Sequence, residues 1–447
     1  MKRLRFGLLA TGLALALLAG AGIAFGHGDP GSAQSAPMPR HPGTGAGPQP
    51  GPATSRDALS AAISAAQLQL QGNDKDWQTW ANLGSAYIEQ GRVTVDPSYY
   101  PKAEGALRRS LDLHPDGNFA ADIGRGALAN ARHEFGDAAA DAQRALAADP
   151  YSATANGVLA DAETQLGDYP AASAAVQRML DLKPGTDSFA RASYDLEIHG
   201  NPAGAVGALQ DALDSAFTPA DTAFCRYYLG ELAFNSGDLA EAARQYDAGI
   251  AADPGYAPPL EGRAKVEAAR GDTAGAIRDY TTVVNRVPQP QYVLELGDLE
   301  ASLGHQDVAQ EQYRLLATER RLFDANGVID DLTAAQFAAD HGDPAGALRD
   351  ARAEWGRRHS VLVADALAWA LHVNGQDTEA LGYARQATAL GERSALFLFH
   401  RGMIERSLGQ RDEARRDLSG ALQANPHFSV LQTPVARTAL AELGGAA

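Results

Sequence analysis

The side chains able to carry chemistry are few and poorly grouped. His133 and Glu134 are adjacent, but no second histidine follows at helical spacing, so the zinc-protease pattern is not completed. The eleven histidines contain no i,i+4 pair, and no helix therefore offers two imidazoles on one face. His372 and His400 read as surface or partly packed residues. No Gly-x-Ser-x-Gly and no glycine-rich loop ending in Gly-Lys-Ser/Thr occurs. Cys225 is the sole cysteine, which excludes an internal disulfide and a multi-thiolate metal site, and it reads as a small apolar filler. His27, Met38 and His41 are irregularly spaced and fall in a stretch without a core. Asp324, Asp330 and Asp331 lack the alternating oxygen spacing of a calcium loop and mark a turn and a helix start. The expectation is a chain without catalytic residues, metal or cofactor.

Charge and composition narrow the class further. Lys and Arg number 38 against 55 Asp and Glu, a net charge of -17, which repels phosphate backbones and argues against a nucleic-acid partner. Hydrophobic residues make up 45% of the 447, mostly Ala and Leu, with 7% aromatics, which favours close-packed helices and excludes an all-β fold. Lys2, Arg3 and Arg5 precede an uncharged run from Phe6 to Phe25, the layout of an export signal. Either Ala24-Phe25-Gly26 is cleaved before His27, or the run stays as an anchor across a bilayer of about 30 Å. Both readings put the body of the chain outside the cytoplasm, secreted or membrane-anchored. Residues 27–55, rich in Pro, Gly, Ser and Ala, form a flexible spacer.

Self-similarity organises the rest. Glycines preceding polar turn residues recur at Gly91, Gly136, Gly167, Gly200, Gly237, Gly271, Gly304, Gly342, Gly375 and Gly409. Asp follows at 137, 168, 238, 272 and 343, and Asn201 at another. Small residues stand five positions on (Ala172, Ala205, Ala242, Ala276, Ala309, Ala347, Ala380, Ala414), and larger ones four further, among them Val176, Leu209, Tyr246, Tyr280, Tyr313 and Leu418. Pro115, Pro150, Pro184, Pro254, Pro288 and Pro426 close the units. This register resembles the tetratricopeptide repeat of about 34 residues. The first unit matches its first-helix pattern with Trp80, Leu83, Gly84 and Tyr87, and the fifth repeats it with Leu229 and Gly230.

The resemblance implies an all-α, right-handed superhelical solenoid of about ten helix-turn-helix units over residues 75–427. A capping helix is expected within 56–74, and a second with a tail within 428–447. Departures from the pattern place a loop with Tyr99 and Tyr100 after Gly91, a shortened and irregular second repeat, and an elongated helix before the eighth, with a joint between two sub-arrays.

In such proteins the first helices line a concave groove. Carried over residue by residue, the resemblance places in it Asp161, Tyr194, Glu197, Phe224, Tyr227, Tyr228, Glu231, Phe234, Glu261, Lys265, Asp298, Asp365, Trp369, Phe399, His400 and Met403. Tyr227 and Tyr228 are adjacent on one helix, so one of them is expected to turn into the core. Acids outnumber Lys265, and with aromatic anchors this suits a basic or extended peptide. The implied function is a protein-interaction scaffold of the cell envelope or extracellular space. The alternative is a chaperone or assembly subunit of a secretion or transport complex. Membrane contact would come only through residues 6–25, if uncleaved.

Overall fold

The computed structural model describes residues 55–445; the expected export segment and nearly all of the expected spacer lie outside them. Twenty-two helices follow one another with no strand among the described residues. α1 (Ser55–Gly72) covers one end. The helix pairs are α2 and α3 (Trp77–Thr94, Tyr99–Leu113), α4 and α5 (Phe119–Ala131, Phe135–Ala148), α6 and α7 (Ala153–Leu166, Tyr169–Leu182), and α8 and α9 (Thr186–Ile198, Pro202–Asp214). Next come α10 and α11 (Pro219–Asn235, Leu239–Ala252), α12 and α13 (Pro258–Arg270, Thr273–Arg286), and α14 and α15 (Pro290–Ser302, Gln306–Ala325). The last pairs are α16 and α17 (Asp331–Asp340, Pro344–Trp355), α18 and α19 (Val361–Val373, Asp377–Ala387), and α20 and α21 (Ala395–Ser407, Arg411–Ala424). α22 (Gln432–Glu442) covers the other end.

Local chemistry sets these boundaries. The aspartates after the turn glycines are N-caps: Asp168, Asp238, Asp272 and Asp343 each accept a backbone N–H from the first turn of the second helix. Within each unit the small residue lets the two helices approach, and the larger one plugs the gap. Tyr246 shows why the first helix also needs glycine: a methyl added at Gly230 would lie 2.4 Å from its ring, and one at Gly262 of the next unit 2.3 Å. One ring thus joins three helices across a repeat boundary.

Two expected irregularities resolve differently. Gly136 sits inside α5, and His133, at φ 63, makes the left-handed turn instead, so the second repeat has a regular length with Ala138 in the small-residue place. After Gly91, α2 continues to Thr94 and Val95 takes the left-handed cap, so Tyr99 and Tyr100 begin α3 rather than lying in a loop. The step before the eighth repeat is irregular: α16 does not run alongside α15 but meets it through Tyr313, Phe337 and His341, with Phe337 5.5 Å from the Tyr313 ring.

The array winds tightly enough for successive superhelical turns to touch. The Ile329 N–H donates to the Arg132 carbonyl at 3.2 Å, His359 N–H to Leu166 at 3.0 Å, and Val361 N–H to the Tyr169 hydroxyl at 2.8 Å. A methyl at Gly200 would lie 2.5 Å from the Gly391 carbonyl oxygen, and Gly237 lies against Pro426. The inner turns of repeats two to five therefore stack, one by one, on the connections leading into repeats eight, nine, ten and the final helix. The core crosses this seam: Tyr169 and Ile198 share one apolar cluster with Trp369 and Phe399, and Phe323 and Val328 pack with Leu107 and Leu128.

Candidate functional site

Most of the side chains assigned to the groove are buried. Phe224, Tyr227, Phe234, Glu261, Asp298, Asp365, Trp369 and Phe399 are buried, as are His400 and Met403. These are interior residues rather than a surface offered to a partner. The tight winding is the physical reason, because it fills the concave side with the chain's own side chains. Trp369 stacks on His400 at 4.2 Å and donates its indole N–H to Asp340 at 2.7 Å, while His400 Nδ1 lies 2.9 Å from Asp365. Asp298 accepts from the Tyr313 hydroxyl at 3.0 Å, and burial pushes its carboxyl up to about 6. Cys225 is fully buried.

Tyr194, Glu197, Tyr228 and Glu231 remain half-buried, on α8 and α10. Both members of the Tyr227–Tyr228 pair face apolar neighbours: Tyr228 lies 4.7 Å from the Phe224 ring and 5.0 Å from Tyr227. Beside them, Asp161 and Arg191 form a bidentate pair with bonds of 2.8 and 2.7 Å. They line a cleft of about 30 Å³ with Thr164, Gln165, Tyr194 and Asp195, enough for about one or two waters.

The electrostatic centre is Lys265. Its Nζ lies 2.6 and 2.8 Å from the Glu231 carboxylate oxygens and 3.1 Å from Glu261. The Tyr246 hydroxyl donates to Glu231 at 2.5 Å, and the Tyr227 hydroxyl to Glu261 at 3.3 Å. Burial pushes the Glu261 carboxyl well above the usual range, and Glu295 beside it adds to the shift. Burial opposes the charge on Lys265, but Glu231, Glu261 and Glu295 outweigh it and hold the ammonium protonated. A second acidic pair spans the seam: burial pushes Glu197 up to about 7 and Glu392 to about 8, and Glu392 is raised further by Glu197 and Asp365. Glu295, Glu392 and Arg92 belong to this interior; Glu392 and Arg92 lie outside the groove positions of the repeat pattern, whereas Glu295, two before Gly297 as Tyr228 is two before Gly230, stands at a groove position missing from the carried-over set. Only the insertion after Gly91 signalled that something reaches inward; from it, Val95 packs with the cluster of Leu296 and Tyr313, and Arg92 forks onto Glu89.

The family model for the tetratricopeptide repeat matches residues 122–186 and 192–257, which are repeats two to five, and the same helix-pair packing carries the architecture through the array. Over these residues the chain carries tetratricopeptide repeats. No curated protein matches the sequence. Among solved structures, yeast Tom70 aligns at 13% identity over 87% of this chain and 92% of its own, with a TM-score of 0.37. A tetratricopeptide repeat protein from Parabacteroides merdae aligns at 18% over 58% and 99%, with a TM-score of 0.36. The human IFIT1 dimer with PPP-AAAA aligns at 13% over 81% and 86%, with a TM-score of 0.45.

Proposed function

We propose that this protein is an exported interaction scaffold that holds a basic or extended protein segment along the aromatic and acidic inner side of its repeats. The observation that carries the reading is the half-buried strip of Tyr194, Glu197, Tyr228 and Glu231 across two first helices, where aromatic rings and carboxyl groups occur together. Aromatic anchors supply contact energy and carboxylates orient cations. Export rests on Lys2, Arg3, Arg5 and the uncharged run to Phe25. No helix among the described residues is long and apolar enough to cross a membrane.

The test is affinity capture with residues 27–447 from the organism's own envelope fraction, followed by binding of the captured partner to Tyr194→Ala and Tyr228→Ala. Each substitution is expected to weaken binding by about 1–2 kcal/mol, chiefly through faster dissociation. The melting temperature is measured alongside, because Tyr228 also packs on Phe224. A partner bound equally by wild type and both variants would move the interaction to the convex face.

A further inference from the structure

The seam that closes the coil joins two kinds of surface, and each kind is left over once. The inner turn of one repeat takes the connection entering the repeat six units on, so the turns of repeats two to five are covered. The turns of repeats six to ten, at Gly271, Gly304, Gly342, Gly375 and Gly409, have no connection to receive, and the connections entering repeats two to five have no turn to rest on. We propose that a second copy of this chain supplies what each lacks. Its open connections seat on the free turns of the first copy, and the protein associates head to tail as a continuation of its own superhelix.

The free turns have the geometry of the occupied ones. Gly167, Gly200 and Gly237 hold φ between 73 and 89, and the five free glycines between 73 and 85. A methyl at Gly167 would lie 2.6 Å from the His359 carbonyl oxygen, whereas at any of the five it would meet nothing within 4 Å. In the seam the acceptor is the carbonyl just before the left-handed residue, that of Arg132 or Leu166, and the donor is the residue two before the next first helix, Ile329 or His359. The corresponding carbonyls of the free turns, from Arg270, Leu303, His341, Asn374 and Leu408, accept no hydrogen bond among the described residues. On the open connections the donor position is held by Gly117, Tyr151, Pro184 and Phe217. The N–H groups of Gly117 and Phe217 are unpaired among the described residues, while that of Tyr151 donates to Asp149 at 3.0 Å. Pro184 has no N–H and contributes packing alone, as Pro426 does against Gly237. Tyr151 and Phe217 are 72% and 97% exposed, at the place where Ile329 rests on the turn of Arg132 and His133.

The end helices fit the continuation. α22 packs on α21 as a first helix packs on the second helix before it, and α1 packs on α2 as a second helix does on the first helix after it. Together, α22 of one copy and α1 of the next stand in for one unit. With that unit counted, the six-unit step brings Tyr151 of the next copy to Gly342 and its Phe217 to Gly409. Terminal helices of repeat arrays ordinarily carry a polar outer face. Here α1 has no charged residue between Asp57 and Asp74, and its outer row is Ala61, Ala65 and Leu68, with Leu68 69% exposed. The outer row of α22, at the same spacing, is Pro434, Thr438 and Ala441. The contact joins two different surfaces and advances along the superhelix axis, so copies add in an open row rather than closing into a ring.

The experiment is sedimentation velocity on the full chain from about 1 to 100 μM, where the mass should rise with concentration past that of a dimer. Two variants each block one surface. Y151D/F217D charges the open connections, and G342N/G409N fills the space a docked connection needs while asparagine keeps the left-handed turn. Each alone should associate at least about ten-fold more weakly than wild type, with a melting temperature close to it because the four positions are exposed. Mixed in equal amounts, the two should form a dimer and nothing larger, since one intact set of turns meets one intact set of connections. If G342N/G409N does not fold, L303D, at the exposed edge of the Gly304 turn, takes its place. A wild-type chain that stays monomeric throughout or stops at a dimer would overturn the proposal. So would variants that associate like wild type, as they would if residues 6–25 drove association, or that remain apart when mixed.

Discussion

Gly200 and Gly304 occupy the same turn of their respective repeats and adopt the same left-handed backbone, at φ 73 and 85. Alanine at either position costs about 1 kcal/mol for that conformation. They differ in what a methyl would meet. At Gly304 nothing lies within 4 Å, whereas at Gly200 the Gly391 carbonyl oxygen lies 2.5 Å away. That obstacle is backbone, so no rotamer change relieves it, and the two superhelical turns must separate by roughly 1 Å. Overpacking of this kind costs about 1–3 kcal/mol. Gly200→Ala should therefore lose about 2–4 kcal/mol and Gly304→Ala about 1. Urea denaturation followed by circular dichroism measures the difference, and exchange of the Val361 and His359 amides locates it. Equal losses in the two variants, with seam amides unchanged in Gly200→Ala, would refute the idea that the coil closes on itself.

Lys265→Met removes the cation from between Glu231 and Glu261 and should destabilise by about 3–5 kcal/mol at pH 8, with the loss shrinking toward pH 5.5 as the Glu261 carboxyl, raised by burial, takes up a proton; urea midpoints at the two pH values check it. Tyr169→Phe leaves the Val361 N–H without its acceptor and should cost about 1–2 kcal/mol, seen as faster exchange of that amide and an earlier denaturation midpoint.

The repeat itself was legible because its determinants are local. The turn glycines from Gly167 to Gly409 in the register all have positive φ, and the aspartates and alanines after them cap and nest the second helices. Gly91 and Gly136 misled because Val95 and His133 take the left-handed turns. A valine or histidine carries no compositional mark of that backbone, and His133 is supported by Ile329, far away in sequence. The candidate site was legible as a set of first-helix positions but not as an interior. Periodicity fixes how one unit packs on the next, while exposure of the inner face depends on a small rotation per repeat that accumulates along the array. Trp369, Asp365 and Phe399 occupy groove positions in pattern yet are among the most buried of the described residues.

Repeat arrays ordinarily grow and shrink by whole units, since each unit answers only to its neighbours. Here the inner turns at 132–133, 166–169, 199–200 and 237 are each matched to a specific connection at 327–329, 358–361, 391 and 426. Insertion or loss of one unit anywhere between Gly237 and Gly327 would shift every match at once, although each new neighbour contact would be sound. The number of repeats between the two halves is thereby fixed by the fold, and lineages of this protein should vary by substitution and at their ends rather than by changing that count.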